Sequence, residues 1–162
     1  MIISSIDIRE ELRVGIVGSR RRNTMRDIKI VYKIVEELLA NNPDRKLVIV
    51  SGACPKGADA FAADAARVLG VELKEFPVPK VPYTNKWEFA QAAFARNKLI
   101  AEDSFIGFAL VTPDRTGGTE DTVKHYNNLK RKVYLVDGNG RYYLSSVEEK
   151  NACAVPKDPD KT

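Results

Sequence analysis

The chain has 162 residues, 44% of them hydrophobic and 30% charged, with 26 basic and 22 acidic residues for a net charge of +4. This composition excludes a disordered chain and fits one domain, which at this length buries roughly 70% of its unfolded surface without metals or staples. Two cysteines and one histidine exclude a disulfide framework, a zinc cluster and most histidine-based triads, and no apolar run approaches the ~20 residues that span a bilayer.

The N-terminal stretch has no basic start followed by an apolar core, so no signal peptide is expected and the setting expected is the cytoplasm. Arg13–Gly18 reads as a strand ending in glycine. From Thr24 to Leu39, Ile28, Val31, Val35 and Leu38 recur at helical spacing, and Asn41-Asn42-Pro43-Asp44 stops that helix. Leu47–Val50 is a continuous apolar run, as in a strand buried on both faces. A small-residue helix, Ala58–Leu69, follows and ends at Gly70. Val71–Phe76 is a third strand. Pro77, Pro79 and Pro82 forbid regular structure until about Asn85. Trp87–Ala101 is an alanine-rich helix and Ile106–Val111 a fourth strand. A helix from near Gly118 to about Lys130 leads to a fifth strand, Val133–Val136. The turn Asp137–Gly140 then precedes a short edge strand at Arg141–Leu144.

Strands alternating with helices predict an α/β fold: a single Rossmann-like, doubly wound domain over residues 1–150. It has a mostly parallel sheet of five or more strands with helices on both faces. Residues 151–162 carry two prolines and several charges and read as a disordered tail.

In such a sheet, ligands bind beyond the carboxyl ends of the strands, where the strand order reverses. Small, hydroxyl and glycine residues collect at that edge: Gly18-Ser19-Arg20 after the first strand, Ser51-Gly52 through Asp59 after the second, and Gly117-Gly118-Thr119 after the fourth. Glycine lets backbone amides approach an anion, and a following helix N-terminus adds positive potential. Each motif alone fits an ordinary turn or cap. Turns at the opposite edge, such as Asn41–Arg45, lack the pattern, and that asymmetry carries the reading. With strand order 3-2-1-4-5, Gly18-Ser19-Arg20 would face Gly117-Gly118-Thr119 across the crevice. Arg96 and Asn97 lie in the alanine-rich helix, as a solvated face or as ligand contacts. Arg20, Arg21, Arg22 and Arg26 form a basic block that, with Arg96 and Arg115, reads as a local anion site. Tyr83 and Trp87 either stack on a base or close the proline loop against the core, the second being favoured. Cys54 reads as a small buried residue, and His125 as a surface or helix-packing residue. No metal ligands and no cofactor are expected. The chain has no G-x-x-x-x-G-K-[ST] run and no G-x-G-x-x-G after the first strand, which argues against a P-loop enzyme and ordinary NAD binding.

Taken in order, Gly18-Ser19-Arg20, Ser51-Gly52 with Gly57-Ala58-Asp59, Arg96-Asn97, and Gly117-Gly118-Thr119 with Thr122 resemble the SLOG superfamily. The likeness is to its YspA/YpsA-related nucleotide-binding families, and more distantly to DprA and to the lysine-decarboxylase-like LOG phosphoribohydrolases. The resemblance spans about Arg13 to Asp137. It implies a nucleotide or nucleotide-derived ligand between the first and fourth strand ends, in a sensor or accessory role, and a homodimer. Gly18, Ser19 and Arg20 would line one wall, Ser51, Gly52 and Asp59 a second, and Gly117, Gly118 and Thr119 would hold phosphate, with Arg96 and Asn97 contributed by the helix. The enzyme branch carries P-G-G-x-G-T-x-x-E. Here Thr116 replaces the proline, the segment before Thr119 is shorter, and Thr122 occupies the glutamate position. Glu120 and Asp121 are the nearby carboxylates for an alternative function, cleavage of a nucleotide N-glycosidic bond. A second alternative is single-stranded DNA binding like that of DprA, with no membrane association in any reading.

Overall fold

The computed structural model describes residues 11–145. The expected tail, residues 151–162, lies outside them, as do Cys153 and the first ten residues. Strand β1 (Glu11–Gly18) leads into α1 (Met25–Asn41), followed by β2 (Lys46–Ser51), α2 (Ala58–Leu69) and β3 (Glu72–Glu75). After the proline segment come α3 (Lys86–Asp103), β4 (Ile106–Leu110), α4 (Gly118–Asn128), β5 (Lys132–Val136) and β6 (Tyr142–Ser145).

The sheet order is β3-β2-β1-β4-β5-β6. The first five strands pair in parallel, and β6 closes one edge antiparallel to β5. The chain therefore starts in the middle, winds outward to β3, crosses back to β4 and winds out the other way. The reversal lies between β1 and β4, which pair directly from Val14–Ile106 to Gly18–Leu110.

Two apolar layers hold the sheet. On one face, Ile30, Val31 and Val35 of α1 and Ala58, Ala62 and Ala65 of α2 pack on Val14, Ile16, Ile49 and Leu110. On the other, Ile100 and Ala101 of α3 and Val123 and Tyr126 of α4 pack on Val17, Val48, Val50 and Ala109. The alanines of α2 let that helix lie close to the strands. Gly15 and Gly107 are register partners on β1 and β4, and the fully buried Tyr126 ring lies over both. A Cβ on Gly107 would stand 2.6 Å from the ring, so the bare strands make the slot that the tyrosine fills. Its hydroxyl shares a hydrogen bond with Ser104. Burial raises the Tyr126 pKa above the ordinary phenol value.

Candidate functional site

A cleft of about 410 Å³ opens at the β1–β4 reversal, on the face covered by α3 and α4. Gly18, Ser19 and Arg20 form its wall after β1, and Gly117, Gly118 and Thr119 its wall at the start of α4. Asp59 enters from the first turn of α2, and Arg96 and Asn97 from α3. Nine of the eleven binding residues expected from sequence thus line one space. Ser51 and Gly52 stand behind Asp59 and Arg96 and shape their positions.

The β1 loop is tied to the neighbouring strand: the Ser19 amide donates to the Leu110 carbonyl at 3.1 Å, and the Ser19 hydroxyl accepts from the Arg21 amide at 3.1 Å. Gly18 is required by contact, since a Cβ there would lie 2.7 Å from the Ala58 Cβ and 2.8 Å from the Leu110 Cβ. That close approach brings the start of α2 against the end of β1.

Helix starts separate into two kinds. Thr24 caps α1 through a reciprocal capping box with Asp27, and Asn85 caps α3 by accepting from the Glu88 amide. By contrast, α2 starts at Gly57 and α4 at Gly117, neither with a side-chain cap. The start of α4 lines the cleft with Gly117, Gly118 and Thr119, and its leading amides offer donors and positive potential to an anion there. The start of α2 contributes only Asp59, since Gly57 and Ala58 are buried and the Gly57 amide donates to Oδ1 of Asn23. Two loops beside the cleft also hold non-glycine residues at positive φ, Ala53 at 61° and Arg115 at 53°, a backbone strain that the surrounding contacts must over-determine.

The floor of the cleft is polar and preorganised. The Ser51 hydroxyl lies 2.9 Å from the Ile16 carbonyl and 3.1 Å from Oδ1 of Asp59, while Oδ2 of Asp59 accepts from the Cys54 amide at 3.2 Å. Arg96 donates to the Gly52 and Phe76 carbonyls and, through Nε, to Asn97 at 3.0 Å. Gly52 separates Asp59 from Arg96: a Cβ there would meet Oδ2 of Asp59 at 2.7 Å and Nη1 of Arg96 at 2.8 Å. Asp59 is 7% exposed. Burial drives its pKa up, and the Cys54 amide, Arg96 and Ser51 only partly oppose this. Cys54 is half-buried and lines the cleft, where the sequence reading places it inside the protein. It stands at the mouth of the β2 loop because Ala53 turns the chain there.

The basic block divides into residues with different duties, and this corrects the reading of it as one anion site. Arg20 is exposed and lines the cleft. Arg21 clasps Asp114 through two bonds of 2.8 and 2.9 Å and reaches Thr112 and Thr116, strapping the β4–α4 loop to the β1–α1 loop. Asp114 is held well below the usual carboxylate range by the hydrogen bonds from Arg21 and Thr112. Arg22 is buried at 6% exposure and bonds Asp27 and the strand-end carbonyls of Val111 and Val136. Arg26 reaches Asn139, and Arg115 pairs with Glu120.

Neither carboxylate proposed for catalysis lines the cleft. Glu120 accepts two bonds from Arg115, at 2.7 and 2.9 Å. Asp121 accepts from the Asn97 amide nitrogen at 3.2 Å and lies 3.2 Å from Nε2 of His125, one turn along α4. His125 is half-buried on α4, and its partner there is Asp121 of the same helix. The described carboxylate that does line the space is Asp59.

Sequence reading missed an aromatic wall. Phe89 and Phe94 of α3 line the cleft with Ala93 between them, 44% and 42% exposed. The available signal was an excess of large apolar residues on α3 beyond its core stripe. Trp87 is 69% exposed, so it does not close the proline loop on the core. Tyr83 does brace that loop: its hydroxyl donates to the Pro79 carbonyl, and its ring packs edge-on to Phe89 at 5.3 Å.

Residues 12–79 match the model of the YspA, cpYpsA-related SLOG family. No curated protein sequence matches the chain. Among solved structures, the fold is similar to the molybdenum cofactor carrier protein MCP from Chlamydomonas reinhardtii: TM-score 0.59, 14% identity, covering 93% of this chain and 86% of that one. A second structure of the Moco carrier protein from the same alga gives a TM-score of 0.54 at 14% identity, over 91% and 86% of the two chains. At this identity the likeness is one of fold. Among the described residues, no helix is long and apolar enough to cross a membrane, and no group of histidine, cysteine and carboxylate side chains is arranged to hold a metal ion.

Proposed function

We propose that this chain, a member of the SLOG superfamily by the match over residues 12–79, binds a nucleotide or nucleotide-derived small molecule in the cleft at the β1–β4 reversal. The observation that carries the reading is one cleft that brings the uncapped helix start at Gly117 opposite Ser19 and Arg20. A phosphate would sit at Gly117, Gly118 and Thr119, with Ser19 and Arg20 opposite, where amides, a hydroxyl and a guanidinium converge as anion donors. The role is that of a sensor or accessory protein acting as a homodimer, on the strength of the family resemblance.

Calorimetric titration with AMP and GMP tests this reading. Saturable binding that inorganic phosphate competes away is expected. No heat and no thermal stabilisation at millimolar nucleotide would overturn it.

A further inference from the structure

Helix α3 has eighteen residues, yet only Asn97, Ile100 and Ala101 are buried. All three belong to its C-terminal half. The N-terminal half has no buried residue and carries Phe89 and Phe94, both exposed. Rings left 44% and 42% exposed forgo part of the stabilisation that burial would give, so an exposed pair in a concave site marks a surface that something covers.

The surroundings say what kind of group that is. Both rings line the same cleft as the uncapped start of α4 and Arg20. One wall is therefore flat and apolar, and the opposite wall offers amides, a hydroxyl and a positive charge. A volume of about 410 Å³ suits a single small molecule and not a helix or a strand. Phe89 is braced by a T-shaped contact with the Tyr83 ring at 5.3 Å and 89°.

We infer that Phe89 and Phe94 are the ring-binding wall of the site, selecting ligands that join a planar heteroaromatic ring to a phosphate over sugar phosphates or free phosphate. The inference rests on the proposed nucleotide site and adds which side chains recognise the ring. The rings act by stacking, so they are indifferent to hydrogen-bonding pattern and favour larger ring systems over smaller ones.

The test titrates the full chain and its Phe94→Ala, Phe89→Ala and Phe89→Leu variants with AMP, GMP, UMP and ribose 5-phosphate. For the unmodified chain, AMP and GMP are expected to bind about tenfold more tightly than ribose 5-phosphate, with UMP between them. Phe94→Ala should lower AMP affinity about tenfold, as loss of one base–aromatic stack does, and leave ribose 5-phosphate unchanged. Phe94 makes no ring contact among the described residues, so this variant keeps the fold. Phe89→Leu separates lost stacking from lost bracing of Tyr83, and should weaken AMP binding nearly as much as Phe89→Ala. Equal affinity for AMP and ribose 5-phosphate, or undiminished AMP binding in both alanine variants, overturns the ring wall and leaves the phosphate site standing. Failure of every probe to bind the unmodified chain overturns both.

Discussion

Nε of Arg22 donates to Oδ1 of Asp27 at 2.8 Å inside the protein, with the two residues 6% and 4% exposed. The arginine goes on to satisfy the carbonyls of Val111, Val136 and Asp137, at the ends of β4 and β5. The carboxylate completes the cap of α1. One ion pair therefore ties a helix start to two strand ends. Removing the arginine leaves a buried carboxylate without its charge partner and the Val111 carbonyl without its donor, while the Val136 and Asp137 carbonyls keep the Val111 and Gly140 amides, so Arg22→Ala should cost about 3–5 kcal/mol in urea unfolding.

The same pair sets an acid dependence. Burial alone would raise the Asp27 pKa, but the bonds from Arg22 and Thr24 outweigh it and hold the group below its ordinary value of 3.8. The unfolded chain then binds a proton that the folded chain refuses. The pair's contribution is present above pH 3.8 and is lost as pH falls from there through the lower folded value. Asp27→Asn should flatten this part of the stability curve, measured by urea midpoints between pH 5 and pH 2.

Tyr126 predicts the opposite limb. Burial raises its pKa above the ordinary phenol value of 10.0, so above about pH 10 the unfolded chain ionises while the folded one does not. Stability falls as pH rises through that range. Tyr126→Phe should remove the fall while costing about 1–2 kcal/mol at neutral pH, since the hydroxyl loses its bond to Ser104. Unfolding midpoints at pH 8 and pH 11 check both points.

Two glycines of the cleft should behave differently. Gly18→Ala forces a methyl against Ala58 and Leu110 and should cost about 1–3 kcal/mol. A Cβ at Gly118 meets nothing within 4 Å, so Gly118→Ala should leave stability within about 0.5 kcal/mol. The added methyl stands where the phosphate is proposed, and AMP affinity should fall about tenfold. Thermal melts and calorimetry on the same samples separate the two effects.

The carboxylates of α4 give a direct assay of the enzyme alternative. Glu120 is neutralised by Arg115, and Asp121 is turned toward Asn97 and His125. Incubation with nucleoside monophosphates should release no ribose 5-phosphate. Turnover that disappears in a folded Asp121→Asn or Glu120→Gln variant would establish the hydrolase instead.

Much of this architecture was legible in local sequence. Apolar runs of four to six residues alternating with 3.6-residue periodicity dictate a parallel sheet between helix layers, because each element must bury its own apolar face. Gly18, Gly57 and Gly117 mark where strands end and helices begin at one edge, since turn chemistry is decided by neighbouring residues. Those two facts locate the cleft and the seven of its expected residues that follow strand ends, whereas Arg96 and Asn97 inside α3 rested on the family resemblance. The tertiary structure alone decided which charges stay available. Arg20, Arg21 and Arg22 are adjacent and chemically equal in sequence, but Arg21 finds Asp114 93 residues away and Arg22 finds Val136 at 114, leaving Arg20 facing the cleft. It also decided that Phe89 and Phe94 stay exposed while Ile100 is buried, because only the second half of α3 packs into the core. Periodicity shows which residues share a helix face, and only the packed sheet shows how far along the helix that face is covered.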